Sequence, residues 1–385
     1  MTVSAVPPAL AGYAVQSPFS DPGRHAALLD VLPTDIRELM AVVRNVLVHY
    51  RASGIDLPPE RLAAIDSRWV DRILDVDQAR HGTPLGAPRA EVDRVACCCR
   101  DFTLLTMAAL RHRGVPARSR IGFAGYFQPD WHYDHVVVEH WDGSRWVFSD
   151  AQIAPAAHWG FDPADVPRLV GSSPPRRPPF ETAGQAWAAY RRGELDVSTY
   201  GVAPGLPFAG GWFVRDEVIY EVAHRYRDEL LLWDAWGAMG PDSVDPVDDV
   251  DSVDDVELID EVAALLLAAD DGDEVAEREL AERYAVDPRL HPGRAVTCLS
   301  PTGTESRVDL RRRAVIALAE PGTTRSKQTT GDDLADPGRL PPPSPVGGVV
   351  PQDDEPATAP GHRGVAEHSH MEPRPPGHGV VGGVR

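Results

Sequence analysis

Three residues of this 385-residue chain have the types and spacing of a nucleophilic thiol site: Cys99, His135 and Asp150. Cys99 stands at the predicted start of a helix, where unpaired backbone N–H groups and the helix dipole favour a thiolate. A histidine can take the thiol proton, and a carboxylate can orient the imidazole. The sequence therefore predicts a thiol that attacks an acyl carbon.

His135 and Asp150 lie on two predicted strands, which are joined by the turn residues Asp142-Gly143. A two-residue loop would pair Trp141 with Ser144, and the same register places His135 directly opposite Asp150, with Cβ atoms roughly 5 Å apart. A three-residue loop would put the two side chains on opposite faces of the sheet. The predicted hairpin and the predicted site therefore depend on each other.

The segments that carry these residues resemble the transglutaminase-like superfamily. They are Cys99-Arg100-Asp101-Phe102-Thr103, Arg113-Gly114-Val115-Pro116-Ala117-Arg118, and His135-Val136-Val137-Val138-Glu139 followed by Gly143, Trp146-Val147 and Asp150. The resemblance covers about residues 90 to 155 and implies a papain-like core with Cys99 as nucleophile, His135 as base and Asp150 as orienting acid. The sequence departs from the family pattern at Cys97, where a glycine is usual, and at Val136-Val137, where Ala-Trp is common.

Cys97 and Cys98 precede the predicted nucleophile directly. Successive helical side chains point about 100° apart, so only one of the three thiols can face the base. We interpret Cys97 and Cys98 as packing residues, with a vicinal disulfide or redox regulation as the alternative. Asp101 favours the helix N-terminus as a first-turn acid, with an acid–base role as its alternative.

A zinc site is the main chemical alternative, because His132, Asp134 and His135 lie close together in the sequence and three cysteines are available. Adjacent cysteines chelate poorly, however, since zinc sites use cysteines separated by two to four residues. We therefore expect no metal ion and no cofactor.

The predicted elements run as helices, then a meander of strands, then helices again, which is typical of α+β architecture. One helix runs from a cap at Thr34 to about Arg51, and another from near Cys99 to Gly114. The predicted strands are 117–127, 135–141 and 145–150, and the later helices are 185–192, 215–236, 256–267 and 274–284. The predicted fold is a papain-like/transglutaminase-like core, with helices packed on an antiparallel sheet and additional C-terminal helices.

Composition divides the chain further. Between Pro241 and Val275 there are fourteen acidic residues and no Lys or Arg. After Tyr284 there is no aromatic residue, and Pro and Gly become frequent. The predicted divisions are a flexible N-terminus (1–20), the core (21–165), a helical, aromatic-rich extension (166–240), an acidic linker (241–256), a helical segment (257–300) and a disordered tail (301–385).

A net charge of −20 argues against a nucleic-acid partner. No apolar run approaches the ~20 residues that span a bilayer, so we expect no membrane association. Consecutive cysteines do not form a disulfide framework, and the N-terminus lacks a secretory pattern, so we expect a cytoplasmic location. The acidic linker or the tail is a candidate site for a protein partner.

The predicted function is acyl transfer to, or hydrolysis of, a peptide or other amide through a thioester on Cys99. Water as acceptor would give a peptidase or amidase, and an amine would give a transglutaminase. The alternative is a binding or scaffold protein on the same fold with a silent triad.

Overall fold

A computed structural model describes residues 8–168, 177–239 and 253–316 of the chain. Most of the predicted acidic linker and of the predicted tail lies outside the described residues. The helices are α1 Ala26–Asp30, α2 Ile36–Val46, α3 Pro59–Leu62, α4 Val70–His81, α5 Cys99–His112, α6 Ala183–Arg191, α7 Gly211–Arg225, α8 Val253–Asp270 and α9 Glu274–Val286. The strands are β1 Leu47–His49, β2 Val95–Cys97, β3 Ala117–Gln128, β4 Trp131–Trp141, β5 Trp146–Ser149, β6 Phe180–Thr182, β7 Tyr200–Gly201, β8 Asp234–Ala235, β9 Ala295–Leu299, β10 Glu305–Asp309 and β11 Ala314–Ile316.

The main sheet has five strands and carries two of the predicted site residues at its β5 side. Its order is β5-β4-β3-β6, all antiparallel, and β7 pairs in parallel with the other end of β4. Helices α5 and α7 pack on β3, and α5 also packs on β4. The predicted α+β class, with helices on an antiparallel sheet and further helices near the C-terminus, is confirmed.

Helix α5 is the buried central helix of the fold. It is almost completely covered, because α1, α2 and α4 pack on it in addition to the sheet. It ends before Gly114, which adopts a left-handed conformation (φ 72°) that favours glycine. The predicted span of this helix agrees with the structure at both ends.

The helix predicted from Thr34 to Arg51 is shorter. Asp35, rather than Thr34, accepts hydrogen bonds from the backbone N–H groups of Arg37 and Glu38, at 2.9 and 3.1 Å. After Val46 the chain becomes strand β1, which pairs in parallel with β2. Apolar spacing does not separate the two structures here, because a short buried strand is as apolar as the buried face of a helix.

The β4–β5 hairpin has a different loop from the predicted one. Trp141 pairs with Trp146 instead of Ser144, so residues 142–145 form a four-residue loop. The Asp142 carboxylate stabilises it by accepting from the backbone N–H groups of Ser144 and Arg145, at 2.8 and 2.9 Å. The register differs from the predicted one by two residues, and two steps along a pleated strand return to the same face.

The described residues show local structure that differs from three of the predicted divisions. Residues 17–20 are not flexible, since Ser17 and Ser20 are buried and hydrogen-bonded to each other and to neighbouring groups. The core does not stop at residue 165, because β6 and β7 belong to its sheet. Residues 301–316 are not part of a disordered tail, since β10 and β11 pair with β9 in a second, four-stranded sheet.

Candidate active site

Cys99 is the first residue of α5, and Cys98 is its N-cap. The backbone N–H of Cys98 donates to Asp101 Oδ2 at 3.1 Å, while the Cys98 side chain accepts from the N–H of Asp101, forming a capping box. The first N–H groups of a helix have no intrahelical acceptor, so Cys99 lies where an anion is favoured. The Cys99 thiol therefore lies at the N-terminus of a helix, where the sequence predicts it.

His135 and Asp150 meet although they are not directly opposite in the ladder. His135 Nε2 lies 2.9 Å from Asp150 Oδ2, and both side chains are buried. The ladder ends at Ser149, which pairs with Val138, so Asp150 follows the strand and approaches His135 diagonally. The structure therefore brings these two predicted residues together by a register that the sequence argument did not use.

Asp150 is held as a carboxylate by the groups around it. Burial alone would raise its pKa, but the charge and hydrogen bond of His135, the hydroxyl of Tyr126 and the N–H of Gln152 outweigh burial and lower the pKa. The Gln152 N–H donates to Oδ1 at 2.9 Å, and the Tyr126 hydroxyl donates to Oδ2. Because a carboxylate can only accept, His135 Nε2 carries the proton of this hydrogen bond.

Helix α5, which begins with Cys99, is attached to strand β4 one residue from His135. The Thr103 hydroxyl donates to the carbonyl of Val136 at 2.9 Å. Thr103 is four residues after Cys99, so both lie on the same face of α5. Among the described residues no hydrogen bond joins the Cys99 thiol to His135, and catalytic contacts of this kind are often loose before substrate binds.

Aromatic rings surround the His135–Asp150 pair. Phe127 and Tyr126 meet the His135 ring edge-on, at centroid distances of 5.1 and 6.1 Å, and Trp159 packs on both. An apolar shell excludes water and strengthens the hydrogen bond within it. Neither Tyr126 nor Trp159 was predicted as a site residue. A register irregularity in β3 between Ala124 and Gln128 changes the strand's alternation there, so the sequence carried no signal for Tyr126.

His49 and Tyr50 are two further residues near the thiols that the sequence analysis missed. Their strand β1 pairs in parallel with β2, and the Tyr50 N–H donates to the carbonyl of Cys97 at 2.9 Å, so Tyr50 lies beside the start of α5. Burial, with a smaller effect of nearby thiol and carboxylate charges, raises the Tyr50 pKa. Burial, with the charges of Arg51 and His135, lowers the pKa of His49 to about 3. Both side chains are therefore neutral at pH 7.

The residues of the predicted zinc alternative do not converge. The His132 ring stacks on Tyr200 at a centroid distance of 4.1 Å, whereas His135 pairs with Asp150. Across residues 8–168, 177–239 and 253–316, no group of three or more His, Cys, Asp or Glu side chains is placed to hold a metal ion. All four cysteines are free, buried thiols. None of the helices in these ranges combines the length and the apolar composition that crossing a membrane would require.

Comparison with known proteins bears on the same part of the chain. Residues 60–151, which include all three predicted site residues, match the family model of the transglutaminase-like superfamily. A crystal structure of a candidate cysteine protease from Cytophaga hutchinsonii is similar at 17% identity and a TM-score of 0.27, over 40% of this chain and 45% of that one. This chain therefore spans less than half of that protein. No curated protein matches the chain. Residues 60–151 belong to the transglutaminase-like superfamily.

Proposed function

We propose that this protein is a cysteine-dependent hydrolase or acyltransferase that acts on an amide bond through a thioester on Cys99. The observation that carries the proposal is the buried His135–Asp150 hydrogen bond next to the helix that begins with Cys99. A carboxylate that fixes the tautomer of a histidine, beside a thiol at a helix N-terminus, is what an activated nucleophile requires.

The proposed reaction begins with a proton transfer. His135 Nδ1 takes the proton of the Cys99 thiol, and Asp150 stabilises the imidazolium through Nε2. The thiolate attacks the amide carbon, which forms the C–S bond and moves the carbonyl electron pair onto oxygen. The C–N bond then breaks as His135 returns its proton to the leaving nitrogen, and the acyl group remains on sulfur as a thioester.

The tetrahedral intermediate needs donors for its oxyanion. We assign the backbone N–H of Cys99 as one, because the first N–H groups of a helix point away from its own carbonyls. We propose the Tyr50 hydroxyl as the second, because the Tyr50 backbone N–H donates to the carbonyl of Cys97 and so holds this residue beside the start of α5. A neutral phenol can donate a hydrogen bond to the developing charge without competing for the thiol proton.

The second half of the reaction decides the enzyme class. His135 removes a proton from water or from an amine, the oxygen or nitrogen attacks the thioester, and the C–S bond breaks to restore the thiol. We propose hydrolysis as the default, because amine transfer requires a channel that excludes water. The donor is a peptide or a glutamine side chain.

The test compares the parent protein with Cys99→Ala on a panel of peptide amides, with and without an added primary amine. Release of ammonia from a primary amide, or of a new amino terminus from a peptide bond, without amine incorporation indicates hydrolysis, and amine incorporation indicates transfer. Cys97→Ala is the matched control, since Cys97 is equally buried but precedes the helix. Equal behaviour of the parent and Cys99→Ala in every assay would contradict the proposal.

The closed site supports the alternative of a silent binding protein. Cys99 is only 5% exposed and His135 only 2%, and the thiol is not hydrogen-bonded to the imidazole among the described residues. A silent triad predicts that no thioester is trapped on Cys99 from any amide substrate. Detection of an acyl adduct of defined mass on Cys99 after acid quenching would exclude it.

A further inference from the structure

Three adjacent thiols lie at the start of α5, and the structure must distinguish the one that ionises from the other two. The exposed fractions of Cys97, Cys98 and Cys99 are 1%, 4% and 5%, so solvent access does not distinguish them. The chemistry around each thiol must therefore decide which one ionises. Cys97 lies in strand β2, before the helix begins, which leaves the N-cap residue Cys98 as the competitor of Cys99.

Cys98 faces a carboxylate directly. Its Sγ lies 3.7 Å from Asp101 Oδ2, and the same oxygen accepts the backbone N–H of Cys98 at 3.1 Å. A thiol can donate to a carboxylate, but a thiolate in that place would meet its negative charge. The capping box that starts the helix therefore also keeps the proton on Cys98.

Asp101 is itself held by a buried network. Arg100 Nη1 donates to Asp101 Oδ1 at 2.8 Å, and Arg100 Nε donates to the carbonyl of Glu229 at 3.0 Å. The Glu229 carboxylate accepts from Arg111 Nη1 at 2.8 Å and from the Ser17 hydroxyl. Because both oxygens of Asp101 have fixed partners, the carboxylate stays towards Cys98.

We infer that Asp101, held by Arg100, is a positioning residue that makes Cys99 the reactive thiol of the three adjacent cysteines by fixing Cys98 as a protonated helix cap. The inference rests on the proposed function only in taking Cys99 as the nucleophile. Burial, the hydrogen bond with Cys99 and the charge of Asp101 all raise the pKa of the Cys98 thiol. Burial and the Asp101 charge raise the pKa of the Cys97 thiol as well.

The test is alkylation of the full-length protein by iodoacetamide from pH 6 to pH 10, read residue by residue by mass spectrometry. Asp101→Asn keeps the size of the side chain and removes its charge. We expect it to increase the alkylation rate of Cys98 at pH 8 by at least ~10-fold, which corresponds to one pKa unit. Asp273→Asn is the matched control, because Asp273 also accepts N–H groups at a helix start but lies at α9.

Unchanged alkylation of Cys98 across this pH range in folded Asp101→Asn would overturn the inference. If Asp101→Asn does not fold, Cys98→Ser provides the second test, since serine is a good helix cap. Cys98→Ser should keep the pH profile of Cys99 within about threefold, and loss of Cys99 reactivity in the folded variant would overturn the inference. If Cys99 of the parent protein is not alkylated below pH 9, that result contradicts the proposed function. It does not bear on the inference, because the effect of Asp101 on Cys98 is measured independently of Cys99.

Discussion

Replacing Asp150 by asparagine should abolish the proposed activity through the tautomer of His135. In the structure Asp150 Oδ2 accepts from His135 Nε2 at 2.9 Å and from Tyr126, while Oδ1 accepts from the Gln152 N–H at 2.9 Å. An amide nitrogen facing His135 donates to Nε2 and moves the ring proton to Nδ1, which then has no lone pair for the thiol proton. The flipped amide would place its nitrogen against the Gln152 N–H, so neither orientation is satisfactory.

The size of this effect follows from the tautomer. The corresponding change in a serine triad costs about 10⁴-fold in rate. We expect about 10³- to 10⁴-fold here, or roughly 4 to 5.5 kcal/mol at about 1.36 kcal/mol per tenfold. The assays are turnover of an amide substrate and the alkylation rate of Cys99 below pH 7. Asp165→Asn, at an exposed Asp165–Arg145 ion pair, is the control. An Asp150→Asn protein within about threefold of the parent in both assays would refute the reasoning.

Three further changes test other parts of the site. Tyr126→Phe removes a donor that lowers the pKa of Asp150, so we expect about tenfold slower turnover and an acid limb of the pH–rate profile shifted to higher pH; an unshifted limb would contradict this. Tyr50→Phe should lower kcat about 10²-fold with little change in KM, and a change confined to KM would argue against an oxyanion role. Burial is the main cause that lowers the pKa of His224 to about 3, below the ~6.5 of an unfolded histidine. As the pH falls below about 6.5, the unfolded chain binds this proton before the folded protein does, so the free energy of unfolding decreases. His224→Gln should therefore reduce the slope of unfolding free energy against pH near pH 5 by about 1.4 kcal/mol per unit, as measured by urea titration, and an unchanged slope would refute this assignment.

The helix that carries Cys99 could be predicted, because the residues that determine its start and its end are close together in the sequence. The start of α5 at Cys99 and its end before Gly114 follow from residue types within one helix. The hairpin loop was predicted two residues too short, because Asp142-Gly143 is a strong two-residue turn signal. What the sequence does not reveal is that the Asp142 side chain accepts two N–H groups and so stabilises a four-residue loop.

The remainder depends on contacts between distant segments. Tyr126 reaches Asp150 from the irregular part of β3, and Tyr50 lies beside the start of α5 because β1 pairs with β2. The partners of Glu229 are Ser17 and Arg111, which are more than 100 residues away in the sequence. Such contacts have no periodic or motif signal, since each partner alone reads as an ordinary surface residue.

The prediction that His135 and Asp150 lie on the same face of the sheet tolerates an error of two residues in the hairpin loop. Side chains on a strand alternate with a period of two, so the face on which His135 and Asp150 lie depends only on whether the loop length is even or odd. The error of two residues changed the cross-strand partner of Asp150 but not its face, and a diagonal separation is within reach of an imidazole and a carboxylate. A one-residue change in this loop is a different perturbation. It would turn the His135 or the Asp150 side chain to the opposite face, and the Tyr126 hydroxyl could no longer serve the same carboxylate oxygen as His135.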